Sequence, residues 1–454
     1  MTLGISALGR LLPDGALVTD PDVIDSYRFD RSNVSTAGVP LAVVRATCTR
    51  DVQNTLRWAS DNRVPVVPRG AGTGLAGGSL AVDGCITVST ERMCSVEVDA
   101  QASVAVAQPG ALNVEVKDAA RKFGLWYPPD PSSFEICSIG GNIATNAGGL
   151  CCVKYGVTTD HVLGIEVVLA DGRALRLGGR TVKDVAGYDL KRLFIGSEGT
   201  LGIVTEATLR LRPIPPPFVT MAATFGDIRT AGSAISDIAS AWRPAVLELM
   251  DRTSVRAVES VLHMGLDDSC GALLVGRSDA GGSRATDEID AMVSICRDRG
   301  ATEVFFTADE DEGEQFMAAR RCAIPAVERL GTVLIEDVGV PISRISDLVA
   351  GIEEIAAECE TVVATIGHAG DGNFHPLVVF DGRDEMSTDR AQVAFGRVMD
   401  LAIALGGVVT GEHGIGTMKL PWLTAQLGDD VMELSRTVKR ALDPLGILNP
   451  GKAI

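Results

Sequence analysis

The sequence predicts an α+β protein of at least two domains, and three observations predict it. A chain of 454 residues exceeds the size at which one hydrophobic core usually stops growing. Residues 40–212 alternate short strand patterns with glycine-rich loops, whereas the chain beyond residue 218 repeats strand, helix, strand. Between the two lies RPIPPPF, residues 212–218, whose four prolines remove donors and stiffen the backbone as a linker does.

Each element follows from local pattern. Residues 51–61 set Val52, Leu56 and Ala59 on one helical face, and VPVVP after them reads as a buried strand. Asp171–Gly172 between IEVVLA and RALRLG predicts a two-residue hairpin. From Ile203 to Leu211 apolar and polar residues alternate, as in a strand with one buried face. In the second half VTMAATF, VLELM, GALLVG and TEVFF read as strands. Helices fall between them, one carrying Ile228, Ala231, Ile235 and Ile238 on a face, another Ile289, Met292, Val293 and Cys296. Split βαβ units with helices on one face of a sheet fit this order.

Composition narrows the function. Apolar residues at 46% and charged residues at 22% are ordinary for a folded globular chain. A formal net charge of −18 with no offsetting basic stripe makes nucleic acid a poor partner. The acidic run Asp309–Glu312 reads as a solvated loop. The N-terminus lacks the pattern of a signal peptide, and no apolar run reaches the roughly 20 residues that span a bilayer, so a cytoplasmic location is expected. Ten cysteines include no C-x2-C or C-x3-C cluster, which argues against zinc-finger or iron–sulfur sites.

The fifty glycines gather in blocks. PRGAGTGLAGGS, residues 68–79, follows a strand directly, and backbone without Cβ lets N–H groups close on a diphosphate. Its G-x-G-x-x-G match would suit a nicotinamide site only if a helix came next. SLAVDGCITVS reads instead as turn and strand, and no Gly-Lys-Ser/Thr ends the block as a P-loop requires. Further blocks at 128–156 and 196–209 imply an extended ligand lying along backbone.

PRGAGTGLAGG, DPSS, IGGNIATNAGG, KYG and GSEGTLGIVTEATL together resemble the FAD-binding domain of the vanillyl-alcohol-oxidase/PCMH superfamily. The resemblance implies that Pro68, Arg69, Gly70, Ala71, Gly72, Thr73, Gly74, Gly78 and Ser79 wrap the FAD diphosphate. By the same likeness Pro131, Ser138, Gly141, Asn142, Asn146 and Gly148 line the flavin, and Ile203 and Val204 bracket its pyrimidine edge. Members that tether FAD covalently use a histidine in the first block; none stands here, so non-covalent FAD is expected.

Three of the five histidines lie in GHAGDGNFHP (367–376) and GEHGIG (411–416). His368 and His375 flank loop-forming sequence that can fold back to bring both imidazoles to one ion. Glu412 and His413 follow the strand-like GVVT, and neighbours in extended backbone point to opposite sides, so they divide roles. His368, His375 and Glu412 then form a two-histidine, one-carboxylate metal set with open positions, suited to zinc, manganese or iron, and His413 is left as the base. Such a site suits a 2-hydroxy acid whose oxygens chelate the ion and whose carboxylate an arginine clamps.

GHAGDGNFHP, GEHGIG and the ending LDPLGILNPGK resemble the C-terminal domain of FAD-linked 2-hydroxyacid dehydrogenases: the glycolate oxidase flavin subunit, D-lactate dehydrogenases and D-2-hydroxyglutarate dehydrogenase. The resemblance implies preference for the D enantiomer and assigns the carboxylate clamp in FMAARRCAIP to Arg320, with Arg321 as the neighbouring register. Where dicarboxylate-using members carry a polar residue and a lysine, this chain has Ile324 and Ile335, which predicts a monocarboxylate such as lactate, glycolate or a longer 2-hydroxyalkanoate.

The expected architecture is therefore α+β: an N-terminal segment 1–39, a PCMH-type FAD domain 40–213 of two α+β subdomains, a ferredoxin-like substrate or cap domain 214–425, and a C-terminal helix and tail 426–454 returning to the FAD domain. The expected partners are the small hydroxy acid and an electron acceptor, which is a quinone, an electron-transfer protein or an iron–sulfur subunit. A second copy in a homodimer and peripheral membrane attachment through the acceptor are compatible additions. A flavoprotein subunit without independent activity, a D-2-hydroxyglutarate dehydrogenase and a nucleotide-binding metal hydrolase are the competing readings.

Overall fold

The computed structural model describes residues 4–34 and 36–454; residues 1–3 and 35 of the expected N-terminal segment lie outside it. Two compact units emerge. One comprises residues 1–148, 156–214 and 412–454, the other residues 149–155 and 215–411. The chain thus enters the second unit inside the proline-rich stretch and leaves it at Gly411, upstream of residue 425.

The first unit holds two sheets. Ala42–Arg45 and Val66–Arg69 flank Ile86–Ser89 in parallel, and Leu17–Val18 adds an antiparallel edge. The helix Thr49–Asn62 buries Val52, Leu56 and Ala59 in the core beneath this sheet. The second sheet is antiparallel, in the order Val96–Asp99, Val104–Ala107, Ile203–Arg210, Val162–Val168, Ala174–Gly178. Its central strand alternates buried and half-buried residues along its whole length, as the period-2 pattern requires. The hairpin after Val168 is one residue longer than the Asp171–Gly172 signal implied. Leu169 N–H donates to Arg173 O, leaving a three-residue loop whose last member, Gly172, has φ +78°.

The C-terminal segment closes this unit. Val66 N–H donates to Ile447 O at 2.7 Å and Asn449 N–H to Val66 O at 2.7 Å, so the tail runs beside the Val66–Arg69 strand. Val438 and Leu442 of the helix Asp429–Leu442 pack on the core of the antiparallel sheet.

The second unit is built on one eight-stranded sheet. Its first four strands, Val219–Phe225, Val246–Asp251, Ala272–Ser278 and Glu303–Thr307, take the spatial order fourth, first, third, second, which is ferredoxin-like. The rest repeats that plan. Thr332–Ile335 and Val338–Gly339 act together as a first strand, and Val362–His368 and Asn373–Phe380 as second and third. The fourth shrinks to a single bridge between Gly339 and Val408. GVVT, read as strand-like, is therefore one bridge, because its last residue, Thr410, and Gly411 after it turn to bind a buried carboxylate described below. The two halves meet where Val246–Asp251 pairs antiparallel with Val362–His368. Helices Ile228–Ala241, Gly282–Asp298, Ile345–Glu358 and Glu385–Ala404 contribute to one continuous core.

The acidic run at 309–312 corrects the sequence reading. Asp309 caps the helix Glu310–Glu328, accepting from the N–H groups of Asp311 and Glu312, and three acidic residues fill the first turn. Negative side chains are favourable there because unpaired N–H groups make the helix start electropositive.

Asp251, which caps the helix Arg252–Leu262, is fully buried, and burial pushes its carboxyl up to about 6 despite the Ser254 N–H donor at 2.8 Å. A carboxyl raised in the folded state stabilises below its unfolded pKa, and that contribution is lost as pH rises through about 6. This group is expected to lower the unfolding free energy by on the order of 2–3 kcal/mol between about pH 4 and pH 7. Asp251→Asn keeps the cap acceptor and should flatten that slope in urea titrations across the range; an unaltered slope contradicts the assignment.

Candidate active site

In the second unit the two histidines of GHAGDGNFHP occupy neighbouring strands, which corrects the expected loop. The register pairs His368 with Asn373 and Ile366 with His375. His375 therefore sits two residues from the partner of His368 and on the same sheet face, where diagonal neighbours are in reach. Their ring centroids lie 5.0 Å apart, and both residues are buried. The four-residue connection is tight: Gly372 has φ +80°, and a side chain on it would strike Val340 O.

Each ring is backed by a carboxylate that sequence reasoning did not assign. Glu248 Oε1 accepts from His368 Nδ1 at 2.8 Å, and Asp337 Oδ1 lies 3.6 Å from His375 Nδ1. Asp337 Oδ2 also accepts from Thr410 Oγ1 at 2.7 Å and Gly411 N at 2.8 Å. Both acids had a signal in the sequence. Glu248 interrupts the apolar VLELM, and Asp337 sits in IEDVGV beside a strand, positions where an unpaired carboxylate is costly.

Arg320 is buried, its Nε in an ion pair 2.7 Å from Glu248 Oε2 that lacks hydrogen-bond alignment, and its Nη2 likewise has no hydrogen-bond partner among the described residues. Arg321 turns to Glu314, which also pairs with Arg277, at a more exposed position. Arg320 therefore stands with the histidine pair and Arg321 does not. Ile324 lies one helical turn after Arg320, and Ile335 is buried in the strand Thr332–Ile335.

Glu412 and His413 belong to the first unit, 3.8 Å apart between Glu412 Oε1 and His413 Nε2. Their loop touches all three glycine blocks. Glu198 of the third accepts from Ile415 N at 2.7 Å and Gly416 N at 2.8 Å. Burial pushes the Glu198 carboxyl up to about 6 against the pull of those donors, Lys452 and Lys419. Ala76 O of the first block accepts from Thr417 N at 3.0 Å. A Cβ on Gly148 of the second would lie 2.3 Å from Glu412 Oε2.

The first block itself runs from the end of the strand Val66–Arg69 through bends, with no helix after it, as the discounted nicotinamide reading anticipated. Pro68 and Arg69 close the strand. Burial lowers the Arg69 pKa, and its Nη1 donates to Phe29 O at 2.7 Å. Gly70 through Gly74 include Ala71 and Thr73 and need the positive φ of Gly72, +73°. Ser79 N–H meets Asp30 Oδ2 at 3.3 Å. Ser138 Oγ joins two blocks, accepting from Ala71 N and Gly141 N, both at 3.3 Å. A Cβ on Gly70 would sit 2.4 Å from that oxygen, and one on Gly78 2.8 Å from Glu198 Oε2. The cradle is thus backbone that side chains would fill, as a diphosphate site requires.

Asn142 is tied to Asn113 and Cys137, and Asn146 ends the short helix at φ 53° with its Oδ1 on Thr159 N. Pro131 O accepts from Phe134 N. Ile203 and Val204 open their strand, Ile203 facing the core and Val204 half-buried. Asn449 and Lys452 of the NPGK ending, unassigned from sequence, hold the cradle from outside. Asn449 Nδ2 donates to Gly78 O and Glu198 O, and Lys452 Nζ to Leu80 O.

This fold and glycine cradle define an FAD-binding oxidoreductase. Residues 40–178 match the FAD binding domain model and residues 214–453 the model for FAD linked oxidases, C-terminal domain. The chain is 42% identical to glycolate oxidase subunit GlcD of Bacillus subtilis over 96% of this chain and 92% of that one. It is 35% identical to D-lactate dehydrogenase of Archaeoglobus fulgidus over 95% and 96%. A crystal structure of p-cresol methylhydroxylase with substrate bound shares the fold, with TM-score 0.83, 17% identity and coverage of 99% and 96%. The chain belongs to the FAD-linked oxidase family.

Gly148→Ala should push the Glu412 carboxylate aside by about 1 Å, a shift that costs catalysis on the order of 10²-fold. Turnover per bound flavin, with occupancy read from absorbance of the purified chain, should fall accordingly; turnover per flavin within twofold of the parent would show that the displacement is harmless.

Proposed function

We propose that the chain oxidises a D-2-hydroxy monocarboxylate to the 2-oxo acid, with non-covalent FAD and a divalent ion held by His368, His375 and Glu412. The observation that carries this reading is the pair of buried imidazoles facing each other across one hairpin, each with a carboxylate behind it. Chain continuity supports the third ligand, since Glu412 follows by one peptide bond the Gly411 that Asp337 holds. Two imidazoles and a carboxylate suit zinc, manganese or iron. When bound, FAD supplies a hydride acceptor at N5 and the ion a Lewis acid that makes the substrate hydroxyl more acidic.

The chain's own groups do the rest. Arg320 turns a buried, unpartnered Nη2 to the substrate carboxylate. His413, beside Glu412, takes the hydroxyl proton as Cα–H leaves as hydride. Ile324, on the helix face of Arg320, and buried Ile335 offer no partner to a second carboxylate, which disfavours 2-hydroxyglutarate. Preference for the D enantiomer rests on likeness to relatives named D-lactate dehydrogenase. Electrons must then leave the flavin. The name glycolate oxidase subunit favours an acceptor on a partner chain, with a quinone or electron-transfer protein as the other outlets. Among the described residues no helix is long and apolar enough to cross a membrane.

An anaerobic screen that follows flavin bleaching tests the whole reading. D-lactate, glycolate or a longer D-2-hydroxyalkanoate should bleach the flavin and the L enantiomers should not. Chelation should abolish bleaching and one added ion restore it. Bleaching that survives exhaustive chelation removes the ion from the reaction, and 2-hydroxyglutarate as much the best substrate overturns the monocarboxylate assignment.

His413→Asn should leave FAD bound and slow flavin reduction by roughly 10²- to 10⁴-fold, the usual worth of a positioned base. Near-parental single-turnover reduction would assign the proton to another group.

A further inference from the structure

We infer that Glu248 is a positioning residue that sets the tautomer of His368 and the aim of Arg320 together, coupling ion binding to carboxylate recognition. This rests on the ion-site reading above. Glu248 lies among Val246, Leu247, Leu249 and Met250 on a strand whose residues, the helix-capping Asp251 included, are all buried. A carboxylate there costs several kcal/mol unless both oxygens find partners. The antiparallel register puts Glu248 directly opposite His368, at the join of the two ferredoxin-like halves.

The chemistry of the contacts leaves one arrangement. An ionised carboxylate only accepts, so at 2.8 Å from Glu248 Oε1 the His368 Nδ1 must carry the proton. That bond orients the ring and turns Nε2 away from Glu248, as the nitrogen the ring would offer to an ion. The other oxygen lies 2.7 Å from Arg320 Nε in an ion pair without hydrogen-bond alignment. The charge contact holds that edge of the guanidinium toward Glu248, and Nη2, which has no hydrogen-bond partner, is the group left for an incoming anion. One carboxylate thus fixes a ligand's lone pair and a clamp's open end. In Glu248→Gln the amide oxygen can still accept from His368, but its NH2 opposes the Arg320 N–H, so the two jobs can no longer be served at once.

The test uses the full-length chain with FAD bound. Affinities for Zn²⁺ and Mn²⁺ alone are measured by competition with a chromogenic chelator, in the parent, Glu248→Gln, His368→Ala and the double variant. Glu248→Gln should weaken the ion by about 10- to 100-fold, as loss of a carboxylate behind a histidine ligand does, and raise KM for the hydroxy acid. Flavin content should not change. In the His368→Ala background the same substitution should cause little further loss, because Glu248 acts through that ring. Equal weakening in both backgrounds, or parental affinity in Glu248→Gln, overturns the inference. If instead His368→Ala binds both ions as tightly as the parent, the ion-site reading itself fails.

A measurement on the parent chain does not depend on the Glu248 variant folding. With five histidines, imidazole ¹⁵N spectra can assign His368 by its loss in His368→Ala. The ion-free protein should show it protonated at Nδ1; protonation at Nε2 alone would defeat the proposal.

Discussion

One buried carboxylate governs the point at which the chain changes units. Asp337 takes the Thr410 hydroxyl and the Gly411 N–H on the same oxygen, while its other oxygen faces His375. Gly411 lies so close over Asn373 that a Cβ would sit 2.5 Å from that side chain. The backbone entering GEHGIG is therefore fixed by hydrogen bonds on one side and steric contact on the other. A few residues later Glu198 takes hold of Ile415 and Gly416 within the first unit. Glu412 and His413 follow directly on the Gly411 anchor and precede the Glu198 anchor by two residues.

The repeated topology explains why the chemistry gathers where it does. In each ferredoxin-like half the second strand would be an exposed edge, and edges are a liability. Pairing Val246–Asp251 with Val362–His368 removes both edges at once, but over only three residue pairs. That short seam sets Glu248 against His368. In the second half the missing fourth strand, reduced to the bridge at Val408, frees residues 409–411 from sheet pairing, so they can turn to Asp337. A complete fourth strand would have spent those donors on its neighbour.

Much of this was legible in the sequence because it rests on local period. The alternation from Ile203 to Leu211, the helix face of Val52, Leu56 and Ala59, and the strands VTMAATF, VLELM and GALLVG report burial directly, whereas TEVFF is a strand at the sheet edge with Phe305 and Phe306 exposed. What stayed hidden depends on register and on remote partners. GHAGDGNFHP reads as a loop because four of its residues favour turns, yet flanking strands extend pairing up to His368 and resume it at Asn373. Asp309–Glu312 reads as solvated charge because the helix it caps contains Arg320, Arg321 and Pro325, which obscure its apolar stripe. Glu248 and Asp337 were visible only as acids in apolar company, since their partners lie far along the chain.

The same acids bear on why these residues are present at all. Glu248, Arg320, Asp337, His368 and His375 are each less than 5% exposed. Buried ion pairs rarely stabilise a fold beyond what apolar residues of similar volume would provide. The main core of the second unit is a separate apolar cluster running from Val219 to Ala402. A buried cluster of charge with an Arg320 Nη2 that makes no hydrogen bond carries a standing desolvation cost. In the proposed reaction an anion at the arginine and a cation at the imidazoles would offset that cost, so the cluster would be most stable with both bound.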